Sequence, residues 1–303
     1  LIRKGDQLPL SEGYKAQHGA FAVKERVRQS ICKKVTIDGV GLFSGLKVTL
    51  SFVPSIEEGI FFKRLDLPNS PLIKATIDHL KGTPRCTILG NKEVSIQCVE
   101  HVLAAVYALD IDDLVIELDS FEPPICDGSS KEFVRLLEEG GVTAQQGVQK
   151  IYYLQQPIYL DTQGGQIIAL PSEELKVSYT IAYKNHPLLS SQFYSLSVDK
   201  KSFIEELSFC RTFALLEEIE LLVEKKVIQG GDLNHGVVID QERVLNPLGL
   251  RCSNEMVRHK ILDLIGDLSL VGAPVRAHFI VLFGGHFLHT ECAKRIYKNI
   301  MEE

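Results

Sequence analysis

Between residues 34 and 63, apolar and polar positions alternate around Gly39, Gly41, Gly45 and Gly59. A period of two with glycine punctuation predicts short antiparallel strands joined by tight turns. The period then lengthens: Val99, Val102, Leu103, Val106 and Leu109 fall three or four apart, as on one face of a helix. A strand is expected at Leu114–Leu118, and Glu122-Pro123-Pro124 with Asp127-Gly128-Ser129-Ser130 forms a turn. Ser129 or Ser130 is placed to cap a helix running through Leu137, which Gly140-Gly141 ends. The polar stretch 143–147 reads as a linker. Beyond it, strands are expected at 149–153, 157–161, 166–170 and 175–183, and helices at 201–207 and 215–226. A strand at 236–240, a long helix at 254–271, a strand at 277–282 and a last helix starting near His289 complete the pattern.

Strands followed by helices thus occur twice. Val99-Glu100-His101-Val102-Leu103 opens a helix that runs into a strand, and Val257-Arg258-His259-Lys260-Ile261 does the same. The expected fold class is α+β. It has two similar domains, 30–145 and 146–303, each a mainly antiparallel sheet with a helical layer. If the domains pack face to face, the two His-bearing helices meet at the interface. Residues 1–29 mix charges with Gly and Pro and read as a poorly ordered tail.

Composition narrows the class. The 303 residues are 45% apolar and 24% charged, as in an ordinary globular protein. A net charge of −6 argues against a general nucleic-acid or membrane-surface binder, which needs a basic excess, but allows an anionic small substrate. The seven cysteines contain no CxxC pair, which suits reduced thiols better than a disulfide framework. No apolar run reaches the length of about 18 residues needed for a membrane span. These features lead us to expect a cytoplasmic protein.

His259 and Asp263 stand four apart on the long helix, so one face carries an imidazole and a carboxylate within reach of a single metal ion. Asp267 extends the stripe by another turn. A solvated polar stripe is the common alternative, yet Ile261, Leu262, Leu264, Ile265, Leu268 and Leu270 surround it, and an unpaired buried Asp is costly. Glu100-His101 opens the other candidate helix and could set a base beside a metal ligand, or be a surface Glu next to a half-buried His. His286 follows Gly284-Gly285 at a strand end, where loops present functional groups. Thr212, ahead of a helix, could cap it or donate to a ligand. Spacing alone supports a site of two His and one Asp with an open fourth position, the form of a catalytic zinc centre. It names no substrate.

The sequence closely resembles the UDP-3-O-acyl-N-acetylglucosamine deacetylases. The matching blocks are Gly39-Val40-Gly41-Leu42 with Gly45, Val99-Glu100-His101 with Leu103, Glu122, Pro124 and Asp127-Gly128-Ser129. They continue with Arg211-Thr212-Phe213, Gly230-Gly231 and the stretch from Arg243-Val244-Leu245-Asn246 through Arg258-His259-Lys260-Ile261-Leu262-Asp263 to Gly266-Asp267-Leu268. Gly285-His286 closes the series. The resemblance implies a zinc ion held by His101, His259 and Asp263, with Glu100 as general base toward the attacking water; Fe2+ is an alternative metal. It implies His286 as acid or electrostatic partner oriented by Asp267, and Thr212 as an oxyanion donor. Lys260 and Asp127 match positions near the substrate head group or the site floor, and Phe213, Leu215, Ile219 and Ile228 match the passage for the acyl chain. The implied reaction releases acetate from UDP-3-O-acyl-N-acetylglucosamine in lipid A biosynthesis, in the cytoplasm of a Gram-negative type of bacterium, by a monomer.

Phe43 stands where the family usually has His, Cys98 where it has Thr, Asp113 where it has Asn, Pro123 where it has Ile, and His235 where Asn is frequent. A basic residue common near 161–166 is absent. Two alternatives accompany the deacetylase expectation: a zinc amidohydrolase for a different acylated sugar, and a non-catalytic ligand-binding relative.

Overall fold

The computed structural model describes residues 19–183 and 186–302. It contains two five-stranded sheets of the same design. In the first, the order is Val35–Val40, Lys47–Pro54, Leu114–Leu118, Ile60–Arg64, Leu72–Lys74, and only the contact between Leu114–Leu118 and Ile60–Arg64 is parallel. In the second, the order is Ile158–Thr162, Gly165–Leu170, His278–Leu282, Lys176–Ile181, Gln192–Ser197, and only His278–Leu282 with Lys176–Ile181 is parallel. In each, the last strand in sequence enters between two hairpins. The expected pair of similar α+β domains is present, and the echo between the two His-bearing segments belongs to a repeated topology.

Each sheet buries one face under helices. Helix α1 (Glu100–Ala108) and helix α2 (Lys131–Gly140) cover the first, with Phe133 meeting Phe52 edge-on at 6.4 Å. A short helix α3 (Lys200–Ser202), continued by a wider turn Phe203–Leu207, and helix α4 (Leu216–Glu224) belong to the second half. Helix α5 (Glu255–Leu268) and helix α6 (His286–Met301) cover the second sheet. The helical layers meet along α1 and α5. Their approach depends on Gly266, since a β-carbon there would lie 2.2 Å from the carbonyl oxygen of Glu100.

Several expectations need correction. The proposed tail 1–29 ends too late, because Phe21–Ile31 is a strand paired antiparallel with Val142–Leu154; residues 1–18 lie outside the described residues. Stretch 143–147 belongs to that second strand rather than to a linker, so the expected boundary at 145/146 falls inside a strand. Neither segment is apolar enough to announce itself. The first of them is also tied by charges to the segment after α1, distant in sequence: Arg26 on Asp112 at 2.6 Å, and buried Arg28 on Asp113 at 2.5 Å. The last helix begins at His286, three residues earlier than expected. Thr212 precedes a short strand, Phe213–Leu215, which pairs in parallel with Val237–Ile239, so it caps no helix.

Candidate metal centre and active site

The site forms where the start of α1 meets the middle of α5. Helix α5 is buried around almost its whole circumference, so its polar residues His259, Asp263 and Asp267 must find partners inside the protein. His101 on α1 supplies one: its ring meets that of His259 edge-on at 4.9 Å. Nε2 of His259 lies 3.2 Å and Nε2 of His101 lies 3.6 Å from Oδ1 of Asp263. Ligand atoms around a tetrahedral ion of zinc's size are themselves about 3.3 Å apart.

Two further contacts suit this trio to a cation. His259 places Nδ1 3.0 Å from the carbonyl oxygen of Cys210; donation there puts the ring proton on Nδ1 and leaves the Nε2 lone pair facing Asp263. Asp263 accepts from Lys260 at 2.6 Å on Oδ2, while its Oδ1 is buried with no hydrogen-bond donor. An acceptor oxygen without a donor, between two imidazole nitrogens, is what a divalent ion would satisfy. Burial opposes the Asp263 charge, but His259 and Lys260 outweigh it and hold the carboxyl well below the usual range. Burial pushes the His259 imidazole down, favouring the neutral form that a metal needs.

Asp267, His286 and His289 form a second cluster, but these groups satisfy one another. Oδ2 of Asp267 receives Nδ1–H of His286 at 2.8 Å and Nδ1–H of His289 at 2.9 Å, and Oδ1 receives the Thr87 hydroxyl. Nε2 of His289 meets the Tyr179 hydroxyl at 2.8 Å. Burial disfavours the imidazolium of His286, but the carboxylates of Asp267, Glu100 and Asp263 overcome this, and its pKa is pushed up to about 10. Burial lowers that of His289, which stays neutral.

Glu100 lies between the clusters. Oε1 is 3.7 Å from Nε2 of His286, and Oε2 accepts the backbone N–H of Thr87 at 3.0 Å. Burial raises the Glu100 carboxyl above its ordinary range, which suits a group that must take a proton and later release it.

A cavity of about 170 Å³ opens onto these groups. Glu100, His101, His259, Lys260, Asp263, His286, Thr212 and Phe213 all line it. Thr212 is fixed by its backbone, donating to Gly128 and accepting from Val237, both at 2.7 Å. The neighbouring Arg211 is buried in a two-pronged pair with Glu255, which ties this segment to the start of α5. Asp267 stands behind His286, outside the lining. Asp127 is elsewhere too, accepting from Ser129 and pairing with Arg251 at 2.8 Å, so it braces the turn before α2. Leu215 lines a separate groove with His186 and Ile239. Ile219 is half-buried on α4, and Ile228 lies near Leu42, both of them 3.1 Å from where a β-carbon of Gly231 would be.

Residues that sequence reasoning missed complete the walls, among them Leu42, Arg85, Cys86, Ile125 and Tyr183; Thr87, also missed, reaches Glu100 through its backbone N–H and Asp267 through its hydroxyl. Phe43 also lines the cavity; its loop is held by Glu122, which accepts the backbone N–H groups of Phe43 at 3.1 Å and Ser44 at 2.7 Å. His289 was missed as a partner of Asp267, although its spacing of three from His286 on α6 was a usable signal. A larger hollow of about 350 Å³ lies at the far end of α1, but its principal charges, Arg26 and Arg28, are already paired with Asp112 and Asp113.

Comparison with known proteins identifies the family. A family model described as UDP-3-O-acyl N-acetylglycosamine deacetylase matches residues 28–298. The chain belongs to that family. A UDP-3-O-acyl-N-acetylglucosamine deacetylase of Chlamydia felis is 38% identical over 277 residues, covering 91% of this chain and 99% of the relative. The protein of that name from Chlamydia pneumoniae is 39% identical over 274 residues, 90% of this chain and 97% of its own. The one from Bdellovibrio bacteriovorus is 35% identical over 272 residues, 89% and 90% respectively. Among the described residues, no helix is long and apolar enough to cross a membrane.

Proposed function

We propose that the chain hydrolyses the N-acetyl group of UDP-3-O-acyl-N-acetylglucosamine, giving acetate and UDP-3-O-acyl-glucosamine for lipid A biosynthesis. The observation that carries this reading is the unpartnered Oδ1 of Asp263 between the imidazoles of His101 and His259, in a chain of the deacetylase family. These three residues would hold the metal, which we take to be one Zn2+ per chain with Fe2+ as an alternative. Such an ion supplies Lewis acidity, polarising an amide carbonyl and making water nucleophilic near neutral pH.

The remaining work falls to the protein. An amide releases its amine only if that nitrogen is protonated, and water attacks well only if a base takes its proton. Glu100, buried and raised, takes the water proton on the cavity side. His286, protonated on Nε2 and held by Asp267, donates to the departing nitrogen. Its positive charge and the Thr212 hydroxyl stabilise the negative oxygen that develops on the carbonyl carbon. Thr87 keeps the Glu100 carboxylate aimed, and His289 with Tyr179 keeps Asp267 aimed.

Lys260 is assigned to the polar head of the substrate. The acyl chain is assigned to the apolar side from Phe213 toward Leu42 and Ile228, with Ile219 and Leu215 flanking it. Seven free thiols accord with a reducing cytoplasm, where we place the enzyme as a monomer. Incubating the purified chain with the acylated UDP-sugar and measuring acetate tests the reaction. Hydrolysis of a different acylated sugar, with none of this substrate consumed, would reassign it to another amidohydrolase. Tight binding without any turnover would make it a ligand-binding relative.

A further inference from the structure

The cavity over His101, His259 and Asp263 is too small for the whole of a nucleotide sugar. Its volume of about 170 Å³ falls short of the roughly 300–1,000 Å³ that encloses a drug-sized ligand. A substrate whose acetamide reaches Asp263 therefore runs out through the mouth, and its anionic diphosphate has to be met there. The protein as a whole offers no attraction, since its net charge is −6. Local cations must supply it.

Among the described residues, the cations lining the cavity are protonated His286, Lys260 and Arg85. His286 is already held by Asp267 at 2.8 Å, and Lys260 by Asp263 at 2.6 Å. Lys260 is also largely buried, so its charge serves the carboxylate beneath it. Arg85 differs on both counts. Its side chain is half-exposed, and its ion-pair partner, Glu218 in the first turn of α4, stands 3.8 Å from Nη1. That is too long for a hydrogen bond. An exposed pair of this kind contributes little to stability and gives way readily to a better acceptor.

Arg85 is nonetheless well placed. It precedes Cys86 and Thr87, both buried, and Thr87 is tied to Glu100 and Asp267. The root of the Arg85 side chain is thus fixed relative to the catalytic groups, while its end reaches solvent at the rim. Its pair with Glu218 joins a loop of the first half of the molecule to a helix of the second.

We propose that Arg85 binds the diphosphate of the nucleotide sugar, its guanidinium leaving Glu218 for two phosphate oxygens. A planar fork of N–H donors matches phosphate oxygens two at a time, which an ammonium cannot do. Glu218 keeps the guanidinium at the rim while the site is empty. This role rests on the UDP-sugar reading of the substrate, and it acts on the diphosphate rather than on the amide.

The test compares full-length, metal-loaded wild type with Arg85→Met, Arg85→Lys and Glu218→Gln. Kinetic constants are measured on UDP-3-O-acyl-N-acetylglucosamine and on the methyl glycoside of the same acylated sugar, which carries no phosphate. Binding of UDP alone is measured by calorimetry. Arg85→Met should raise KM for the UDP substrate about ten- to a hundredfold, as for a lost hydrogen bond to a charged group, with a smaller change in kcat. UDP should weaken in parallel, and most of the loss should vanish on the methyl glycoside. Arg85→Lys should recover part of the affinity, and Glu218→Gln should leave KM no higher, because only a competitor is removed. Equal KM and equal UDP affinity in wild type and Arg85→Met overturn the assignment while leaving the deacetylase reading intact. So does a Glu218→Gln variant weakened as much as Arg85→Met, since the ion pair itself would then be what matters. A wild type that binds UDP through Arg85 yet releases no acetate supports the Arg85 assignment and sinks the deacetylase reading instead.

Discussion

His286 donates through Nδ1 to Asp267 at 2.8 Å, and the same carboxylate oxygen takes His289 at 2.9 Å. One imidazolium and one neutral imidazole therefore share a buried carboxylate. The charge on His286 follows: burial opposes it, Asp267 is the largest influence in its favour, and its pKa is pushed up to about 10. An activity that requires this proton is present below that value and lost as pH rises through it. Glu100 is raised above the ordinary carboxylate range by burial, so activity that requires its charge is lost as pH falls through that value.

The profile of kcat/KM should thus be bell-shaped. Asp267→Asn should move the basic limb to lower pH, toward the unperturbed histidine value of about 6.5. His286→Gln should lower the rate and abolish that limb. Profiles from pH 5 to 10 check both; a basic limb unchanged in the two variants removes His286 from the role of acid.

Gly266→Ala should be costly although it adds one methyl group. The added carbon would meet the backbone of Glu100, which no side-chain rotation relieves. Overpacking of this kind costs about 1–3 kcal/mol, and thermal unfolding should shift down by several degrees. Because the displaced group begins α1, kcat should fall as well. An alanine variant as stable and active as wild type would show that α1 and α5 do not need this contact.

Both helices of this seam were legible in the sequence, because a 3.6-residue apolar period survives wherever a helix is buried on most sides. His259 and Asp263 were legible for the same reason: their spacing on α5 is local. His101 was joined to them by the echo between the two His-bearing helices and by resemblance, since nothing local connects α1 with α5. Thr87 left no trace, because it acts from a loop through one N–H and one hydroxyl. Phe21–Gln29 was hidden as a strand for a different reason. Its Arg26 and Arg28 look solvated until Asp112 and Asp113 are brought to them, more than eighty residues along the chain. His286 was placed in a loop because Gly284-Gly285 reads as a break, whereas Gly285 serves as the residue before α6.

The apolar side of the cavity yields a comparison of two variants. Phe213 lines the cavity against Tyr183, with ring centres 5.9 Å apart, while Leu215 lines a neighbouring groove. Phe213→Ala should reduce kcat/KM on the acylated substrate far more than Leu215→Ala does. Each buried methylene contributes roughly 0.8 kcal/mol, so shortening the acyl chain should cost about fourfold per carbon while the chain remains inside the passage. Equal kcat/KM for UDP-N-acetylglucosamine with no acyl group would exclude this passage.

Glu100→Ala should separate base from ligand. With the carboxylate gone, the rate should drop by a factor on the order of 10² to 10⁴, the usual contribution of a general base. His286 also loses a nearby negative charge, so its basic limb should move down slightly. A variant that keeps the wild-type rate would place the base elsewhere.

Divalent metal counted per chain by elemental analysis, in wild type, Glu100→Ala and His259→Ala after identical dialysis, tests the centre most directly. One ion per chain is expected in wild type and in Glu100→Ala, and almost none in His259→Ala, with all three folded by circular dichroism. Full occupancy in His259→Ala, or loss of the ion in Glu100→Ala, would contradict the assignment of His101, His259 and Asp263 as the metal-holding trio.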